Sequence, residues 1–170
     1  MTRRARWLVR ESGVAWQAVG RLTMAIVAIG AGAWLTAGCG APPDPLAPPE
    51  IVYGEDVCDA CGMIMSDERF AAATIVTNPD GEPEPRKFDD IGEMFEYHAE
   101  HAEVPVQRWY VHDHASMAWI QADQATFVRA ESLSTPMGFG VAAFADAAAA
   151  EAFAADVAGT VATFAELRSP

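Results

Sequence analysis

The sequence predicts an α+β domain made of two tandem strand–strand–helix–strand units, behind an export signal and a proline-rich linker. Three observations support this fold class: β-prone runs alternate with turn signals, an aspartate stands where each helix should begin, and the order of elements occurs twice. We place the signal at 1–38, the linker at 39–50 and the domain at 51–170, with units at about 51–115 and 116–170.

The N-terminus has the three parts of an export signal. Five arginines precede the apolar run 22–35, which is too short for a comfortable membrane span, and small residues stand directly before Cys39. This arrangement resembles the lipobox of bacterial lipoproteins, which implies that Cys39 is the lipidated first residue of the mature protein. An uncleaved N-terminal helix with a free Cys39 is the alternative. The export route, general secretory or twin-arginine, stays open.

The composition of the linker and the net charge indicate how far the domain reaches from its anchor and which partners suit it. Residues 40–50 include five prolines, a composition that extends at about 3.1 Å per residue and reaches roughly 30 Å. Five of the eleven basic residues and one of the twenty-four acidic residues precede Cys39, so the remainder has six basic and twenty-three acidic residues, a formal charge of −17. Such a surface argues against nucleic acid and anionic lipid as partners and suits cations or a basic protein.

The first unit is predicted from local signals. Run 70–77 is β-prone, an Asn-Pro-Asp-Gly turn follows it, and 86–88 is a second extended run, which together indicate a hairpin. Asp90 is a good N-cap for a helix through to about residue 101, whose apolar residues recur at helical spacing. A proline then ends the helix, and 106–112 alternates as a strand does.

The second unit repeats this order. We predict strands at 117–121, 126–130, 140–144 and 160–166, with an alanine-rich helix at 147–158. Asp146 is its N-cap and matches Asp90 of the first unit.

The cysteines concentrate the chemistry. The chain has three, and two lie in the segment 58–65, CDACGMIM, where paired thiols meet paired thioethers. These soft ligands favour Cu(I), whereas a closed zinc site needs a second pair of Cys or His ligands. A redox pair would need a CxxC that opens a helix, and the residues after Gly62 give no helix start. A soft-metal loop, a thiol–disulfide pair and a zinc knuckle therefore stand as alternatives, in that order.

Four motifs in sequence order resemble the NosL family: CDACGM at 58–63, KFDDIG at 87–92, YVHD at 110–113 and TPMGFG at 135–140. The resemblance implies a fold of two ββαβ units related to the core of organomercurial lyases. It also implies a Cu(I)-binding lipoprotein of the bacterial or archaeal cell envelope. Members of the family are encoded with nitrous oxide reductase and supply copper to the catalytic copper centre of that enzyme.

The resemblance implies a ligand set for this chain. Cys61 would be the thiolate anchor, and Met63 and Met137 would be the thioethers that complete the Cu(I) site. Cys58 and Met65 are further candidates; Cys58 is a second thiolate, a disulfide partner of Cys61 or a bystander. We expect the glycines that follow Cys61 and Met137 to take positive φ, because only glycine does so without steric cost.

These expectations amount to a metallochaperone rather than an enzyme. No nucleophile and base pair, phosphate loop or nucleotide motif appears in the sequence. The implied partners are nitrous oxide reductase or its maturation proteins, and the membrane through the lipid on Cys39, with the domain on the periplasmic or extracytoplasmic side. The alternative function is an envelope thiol–disulfide oxidoreductase that uses Cys58 and Cys61.

Overall fold

The computed structural model describes residues 43–169, so the predicted signal and Cys39 lie outside the described residues. The strands are β1 Ala72–Thr77, β2 Pro83–Phe88, β3 Val106–His112, β4 Trp119–Gln121, β5 Thr126–Arg129, β6 Val141–Phe144 and β7 Thr160–Thr163. The helices are α1 Ile91–Glu100, α2 Ala147–Asp156 and α3 Phe164–Arg168, with a 3-10 turn at Ala122–Gln124.

The first sheet is antiparallel and has the order β2-β1-β3-β4. The predicted hairpin joins β1 to β2, and the side chain of Asn78 accepts hydrogen bonds from the backbone N–H groups of Asp80 and Glu82 in its turn. Strand β2 contains two prolines, Pro83 and Pro85. They are tolerated because β2 lies at the edge of the sheet, where a missing N–H breaks no ladder.

The second sheet is also antiparallel, with the order β6-β5-β7. The succession β5-β6-α2-β7 therefore repeats β1-β2-α1-β3, and the predicted pair of ββαβ units is confirmed. Strand β4, which we assigned to the second unit, pairs instead with β3 in the first sheet. The turn at Asp113 is the reason, because its carboxylate accepts the N–H and hydroxyl of Ser116 and so reverses the chain beside β3.

The end of the chain also differs from the prediction. Strand β7 stops at Thr163, although we expected it to continue to Glu166. Thr163 and Glu166 instead form a capping box, in which the Thr163 hydroxyl accepts the N–H of Glu166 and the Glu166 carboxylate accepts the N–H of Thr163. Helix α3 therefore starts at Phe164, and its Leu167 is buried.

Both units contribute to one main hydrophobic core. Phe88, Ile91 and Val111 of the first unit pack in the same cluster as Phe127 and Val141 of the second. A backbone hydrogen bond also joins the two units: the N–H of His114 donates to the carbonyl of Ala143 at 2.8 Å. As a result, the two units pack as one body in which the first turn of α1 reaches the second unit.

Part of the predicted linker contacts this body. Leu46 packs against the cluster of Ala73, Ile75 and Tyr110, and its carbonyl accepts the hydroxyl of Tyr110 at 2.7 Å. Proline-rich composition does not prevent this contact, because the apolar Leu46 side chain can bury surface on its own. Within 43–169, no helix combines the length and the hydropathy needed to cross a bilayer.

Candidate metal site

The cysteine segment forms a tight hairpin. The N–H of Cys58 donates to the carbonyl of Met63 at 2.8 Å, and the N–H of Gly62 donates to the carbonyl of Cys58 at 3.0 Å. Gly62 has a φ of 73°, as the sequence predicted. This turn places Cys58 and Cys61 on the two sides of one short loop, and both thiols are free.

Asp59 fixes the hairpin to the end of β2. Its N–H donates to the carbonyl of Lys87 at 2.8 Å, and its carboxylate accepts the N–H of Lys87 at 2.6 Å and the guanidinium of Arg86 at 3.2 Å. A second ion pair joins Lys87 to Asp56 at 2.7 Å. Because β2 leads directly into α1, these bonds hold the two cysteines next to the start of that helix.

Cys58, Cys61 and Glu93 form the cluster at the centre of the site. One ligand atom from each, the two sulfurs and a carboxylate oxygen, lies within 4.8 Å of the others. The Cys58 thiol donates to Glu93 Oε2 at 3.0 Å, and these two side chains are only 2% and 6% exposed. Cys61 is exposed. The cluster therefore has a buried side and a side that is open to solvent.

Burial controls the protonation of Cys58. Desolvation, together with the hydrogen bond to Glu93, raises the pKa of the Cys58 thiol to about 12. Hydrogen bonds with the backbone of Cys61, Asp89 and Ala60 act in the opposite direction. Cys58 is therefore a thiol at neutral pH in the metal-free protein, and a metal that binds it must displace the proton.

A second segment reaches the same end of α1. Asp90 is the N-cap of α1 and is fully buried; one of its carboxylate oxygens accepts the N–H of Gly92 at 2.9 Å. The other oxygen accepts the hydroxyl of Thr135 and the N–H of Met137, the latter at 3.1 Å. Because Glu93 lies in the first turn after Asp90, the cysteine hairpin and the Met137 loop are held by the same turn of helix.

Gly92 lets the Met137 loop approach the helix closely. A Cβ added at Gly92 would stand 2.2 Å from Cβ of Phe139, far closer than two non-bonded carbon atoms can approach. Gly138, between Met137 and Phe139, has a φ of 78°, as the sequence predicted. The loop therefore depends on one glycine for its turn and on another for its contact with α1.

The match that decides the family covers the domain: the NosL family model matches residues 49–170. The chain belongs to the NosL family. Its fold is similar to the crystal structure of the copper chaperone NosL from Shewanella denitrificans, with a TM-score of 0.62, 24% sequence identity, and coverage of 74% of this chain and 96% of that chain. No curated protein matches the chain in sequence. The family and the fold predicted from the four motifs are confirmed.

In this NosL-family chain the predicted ligands fall into three environments. Cys58 and Cys61 are brought together, and Met137 lies half-buried on the loop held by Asp90. Met63 is 55% exposed beside the cysteine turn, whereas Met65 is 0% exposed and belongs to the main core. Among the described residues, no histidine joins the cluster of Cys58, Cys61 and Glu93, so histidines do not supply the second ligand pair of a zinc knuckle.

Two residues of the NosL-family site were missed in the sequence. Asp90 was predicted only as the N-cap of the helix, and Glu93, which follows three residues later at the spacing of a capping box, was not singled out. In the structure, Glu93 accepts a hydrogen bond from the thiol of Cys58. One oxygen of the Asp90 carboxylate accepts hydrogen bonds from the Thr135 hydroxyl and the Met137 N–H. Helical spacing places Glu93 away from the apolar face of Ile91, Phe95 and His98, so no periodic signal in the sequence could have found it.

Proposed function

We propose that this NosL-family protein is a copper chaperone that binds one Cu(I) ion and passes it to nitrous oxide reductase or to the maturation proteins of that enzyme. The observation that carries the proposal is the cluster in which the sulfurs of Cys58 and Cys61 lie within 4.8 Å of each other and of Glu93. The proposal includes anchoring of the domain to the membrane by the lipid on Cys39, on the extracytoplasmic side.

The chemistry of the ligands suits Cu(I). Two thiolates from Cys58 and Cys61 give a soft site, and a d¹⁰ ion with two or three such ligands leaves a direction open for the ligand of a partner. Cys58 is buried and Cys61 is exposed. We therefore assign Cys58 as the ligand that leaves last and Cys61 as the ligand that a partner displaces first, although the sequence had favoured Cys61 as the anchor.

Thioethers complete the proposed site. Met137 stands on the loop that Asp90 ties to the first turn of α1, and Met63 is exposed next to the cysteine turn. We propose Met137 as the third ligand and Met63 as a ligand during transfer, because an exposed thioether can follow the ion as it leaves. Met65 packs in the core, so we leave it outside the ligand set.

Several observations support copper delivery as the role. The solved structure to which the fold is similar is that of a protein named as a copper chaperone. The charge of −13 for the whole chain suits the attraction of a cation and of a basic partner. The family resemblance implies nitrous oxide reductase as the client. The role needs no catalysis, so we propose that the protein is not an enzyme.

The rival role in thiol–disulfide exchange has less support. Redox-active cysteines are usually exposed thiolates with a depressed pKa, whereas burial raises the pKa of Cys58 to about 12. The turn between the cysteines also does not open a helix, since the first helix of the described residues begins at Ile91. Cys58 thus lacks both features of an attacking thiol.

The test is an anaerobic Cu(I) titration of the full chain in competition with bathocuproine disulfonate. We expect one Cu(I) per chain, an affinity loss of about 100-fold in Cys58→Ser and Cys61→Ser, and a loss of about tenfold in Met137→Leu. Met117→Leu is the matched control, because Met117 is an exposed methionine in the turn before β4. A Cys58→Ser/Cys61→Ser protein that still binds Cu(I) as the parent does would refute the site.

The two alternative functions, zinc binding and thiol–disulfide exchange, are tested on the same protein samples. Metal analysis of protein purified without added copper should find no stoichiometric zinc. Insulin reduction by the metal-free dithiol should stay at the level of the Cys58→Ser variant. Stoichiometric zinc would favour the knuckle, and reductase activity that depends on Cys58 would favour the oxidoreductase.

A further inference from the structure

A cavity on the far half of α1 is distinct from the cysteine site. Its volume is about 460 Å³, and its walls are Phe95, His98 and Ala99 of α1, Trp109 of β3 and Arg168 of α3, with the turn between α1 and β3. This volume lies in the range of about 300 to 1,000 Å³ that small-molecule sites occupy. Apart from His98 and Arg168, these named walls are apolar or aromatic.

Arg168 is an unusual cation in this acidic chain. The described part has six basic residues: Arg69, Arg86, Lys87, Arg108, Arg129 and Arg168. The first three pair with carboxylates, whereas Arg108, Arg129 and Arg168 have no carboxylate within 4.0 Å in residues 43–169; what distinguishes Arg168 is its contact with aromatic rings. Its guanidinium carbon instead lies 5.1 Å from the centre of the Trp109 ring and 5.4 Å from that of Phe164. An unpaired guanidinium on an indole leaves its N–H donors available to an anion.

His98 lines the same wall with its ring. Its Nε2 lies 2.9 Å from the hydroxyl of Thr74, while its Nδ1 is buried without a hydrogen-bond partner in the described residues. The Thr74 hydroxyl can donate to Nε2 or accept from it, so the imidazole proton is not assigned to either nitrogen. Because Nδ1 is buried, a ligand in the cavity contacts the ring of His98 and not this nitrogen.

The position of the anion follows from the neighbouring charges. A second cavity of about 530 Å³ adjoins the first on the other side of Arg168, and both Arg129 and Glu96 line it. Glu96 and Arg129 offset each other there, so Arg168 supplies the net positive charge of both cavities. The first cavity differs in having the Trp109 ring and no acidic residue in its wall, which makes it the better place for an aromatic anion.

We propose that the cavity between α1, β3 and α3 binds a small planar organic anion, with its ring system against Trp109 and Phe95 and its carboxylate against Arg168. Trp109 already stacks on Phe95 and lies under Arg168, so these rings offer a ligand their edges, and edge-to-face contact is one of the preferred arrangements of aromatic pairs. The guanidinium binds a carboxylate in a bidentate way. This inference does not depend on copper binding.

The test uses 2-naphthoate as the probe and its uncharged analogue 2-naphthylmethanol. The full chain is labelled with ¹⁵N-tryptophan, and the indole N–H signal of Trp109 is assigned from its loss in Trp109→Phe. We expect both probes to shift this signal in a saturable way. Arg168→Gln should weaken 2-naphthoate about tenfold and leave 2-naphthylmethanol unchanged.

Controls separate charge from shape. Arg108→Gln makes the same change of charge on β3 at a residue that does not line the cavity, and it should leave both affinities unchanged. Ala99→Phe should abolish the binding of both probes by filling the cavity. If this variant does not fold, Ala102→Phe fills the cavity from the turn between α1 and β3 and should have the same effect. The proposal is overturned if 2-naphthoate does not shift Trp109, if Trp119 shifts equally, or if Arg168→Gln behaves as Arg108→Gln does.

Discussion

The two ββαβ units begin their helices in the same way, yet only one of the two helix starts builds a site. Asp90 and Asp146 are both N-caps, at equivalent places after β2 and β6. Asp146 is exposed, and its carboxylate accepts only the N–H groups of Ala148 and Ala149 in its own helix. Asp90 is buried, and its carboxylate also holds the Thr135 hydroxyl and the Met137 N–H.

The difference lies in side chains and not in topology. The first turn of α1 has Gly92 and Glu93 where the first turn of α2 has Ala148 and Ala149. Gly92 admits Phe139, and Glu93 accepts the thiol of Cys58. The helix start of the first unit therefore forms part of the candidate metal site because the carboxylate of its N-cap residue also accepts hydrogen bonds from outside its own helix. The copy without such bonds shows what the cap alone contributes.

The largest expected effect is the contrast between Asp90→Ala and Asp146→Ala. Asp90→Ala leaves three donors without an acceptor and should cost about 4 kcal/mol of unfolding free energy, because each lost bond to a charged acceptor costs about 1 to 3 kcal/mol. Asp146→Ala should cost about 1 kcal/mol, the usual loss for a helix cap. Urea unfolding of the two variants measures both values. Equal losses would mean that Asp90 acts only as a cap.

The next contrast is in pH dependence, because α1 buries a histidine and α2 does not. Burial lowers the pKa of His98 to about 4. The unfolded chain, with a histidine pKa near 6.5, binds the proton more readily than the folded chain between these values. The contribution of neutral His98 to the free energy of unfolding is therefore fully present above about pH 6.5, and the free energy of unfolding falls by about 3 kcal/mol as the pH decreases to 4.

This pH effect is measured as a difference between variants. Urea unfolding at a series of pH values should give His98→Phe a shallower loss of stability than the parent between pH 6.5 and 4. His101→Gln, at the C-cap of the same helix, should keep most of the loss seen in the parent, because burial lowers the pKa of His98 more than the charge of His101 does. If the free energy of unfolding falls equally with pH in the parent and in His98→Phe, the pKa of His98 is not lowered in the folded protein.

A smaller contrast concerns Gly92 and Ala148. Gly92→Ala should cost about 2 kcal/mol, because the added methyl overlaps Phe139, although alanine is the better helix former by about 1 kcal/mol. Phe139→Gly removes the overlapping Cβ, so Gly92→Ala should cost less in a Phe139→Gly background than in the parent. Ala148→Gly should cost about 1 kcal/mol through propensity alone. If Gly92→Ala were stabilising in urea unfolding, the close packing of the Met137 loop on α1 would be wrong.

Local signals explain how much of the fold was predictable. The Asn-Pro-Asp-Gly turn, the two aspartate caps and the bounds of β3 depend on residues close in sequence, and the structure confirms them. The pairing of β4 with β3 was not predictable in the same way, because it depends on the turn that Asp113 makes with Ser116. The capping box of Thr163 and Glu166 was visible in the sequence but was assigned to a strand.

The candidate site was predictable only in its local half. The CxxC spacing brings Cys58 and Cys61 together through one turn. Glu93 joins Cys58 across 35 residues, and Thr135 joins Asp90 across 45 residues. Contacts at such separation leave no spacing in the sequence, and the local rule for helix caps gave a sufficient explanation of Asp90 without them.

The central claim is that the cysteine hairpin and the Met137 loop, both held by the first turn of α1, bind one Cu(I) ion between them. Copper K-edge X-ray absorption of the Cu(I)-loaded full chain tests it most directly. We predict a first shell of sulfur that loses one scatterer in Cys58→Ser and one in Met137→Leu, and that stays unchanged in Met117→Leu. A first shell of nitrogen or oxygen, or a sulfur shell that neither Cys58→Ser nor Met137→Leu alters, would contradict the account.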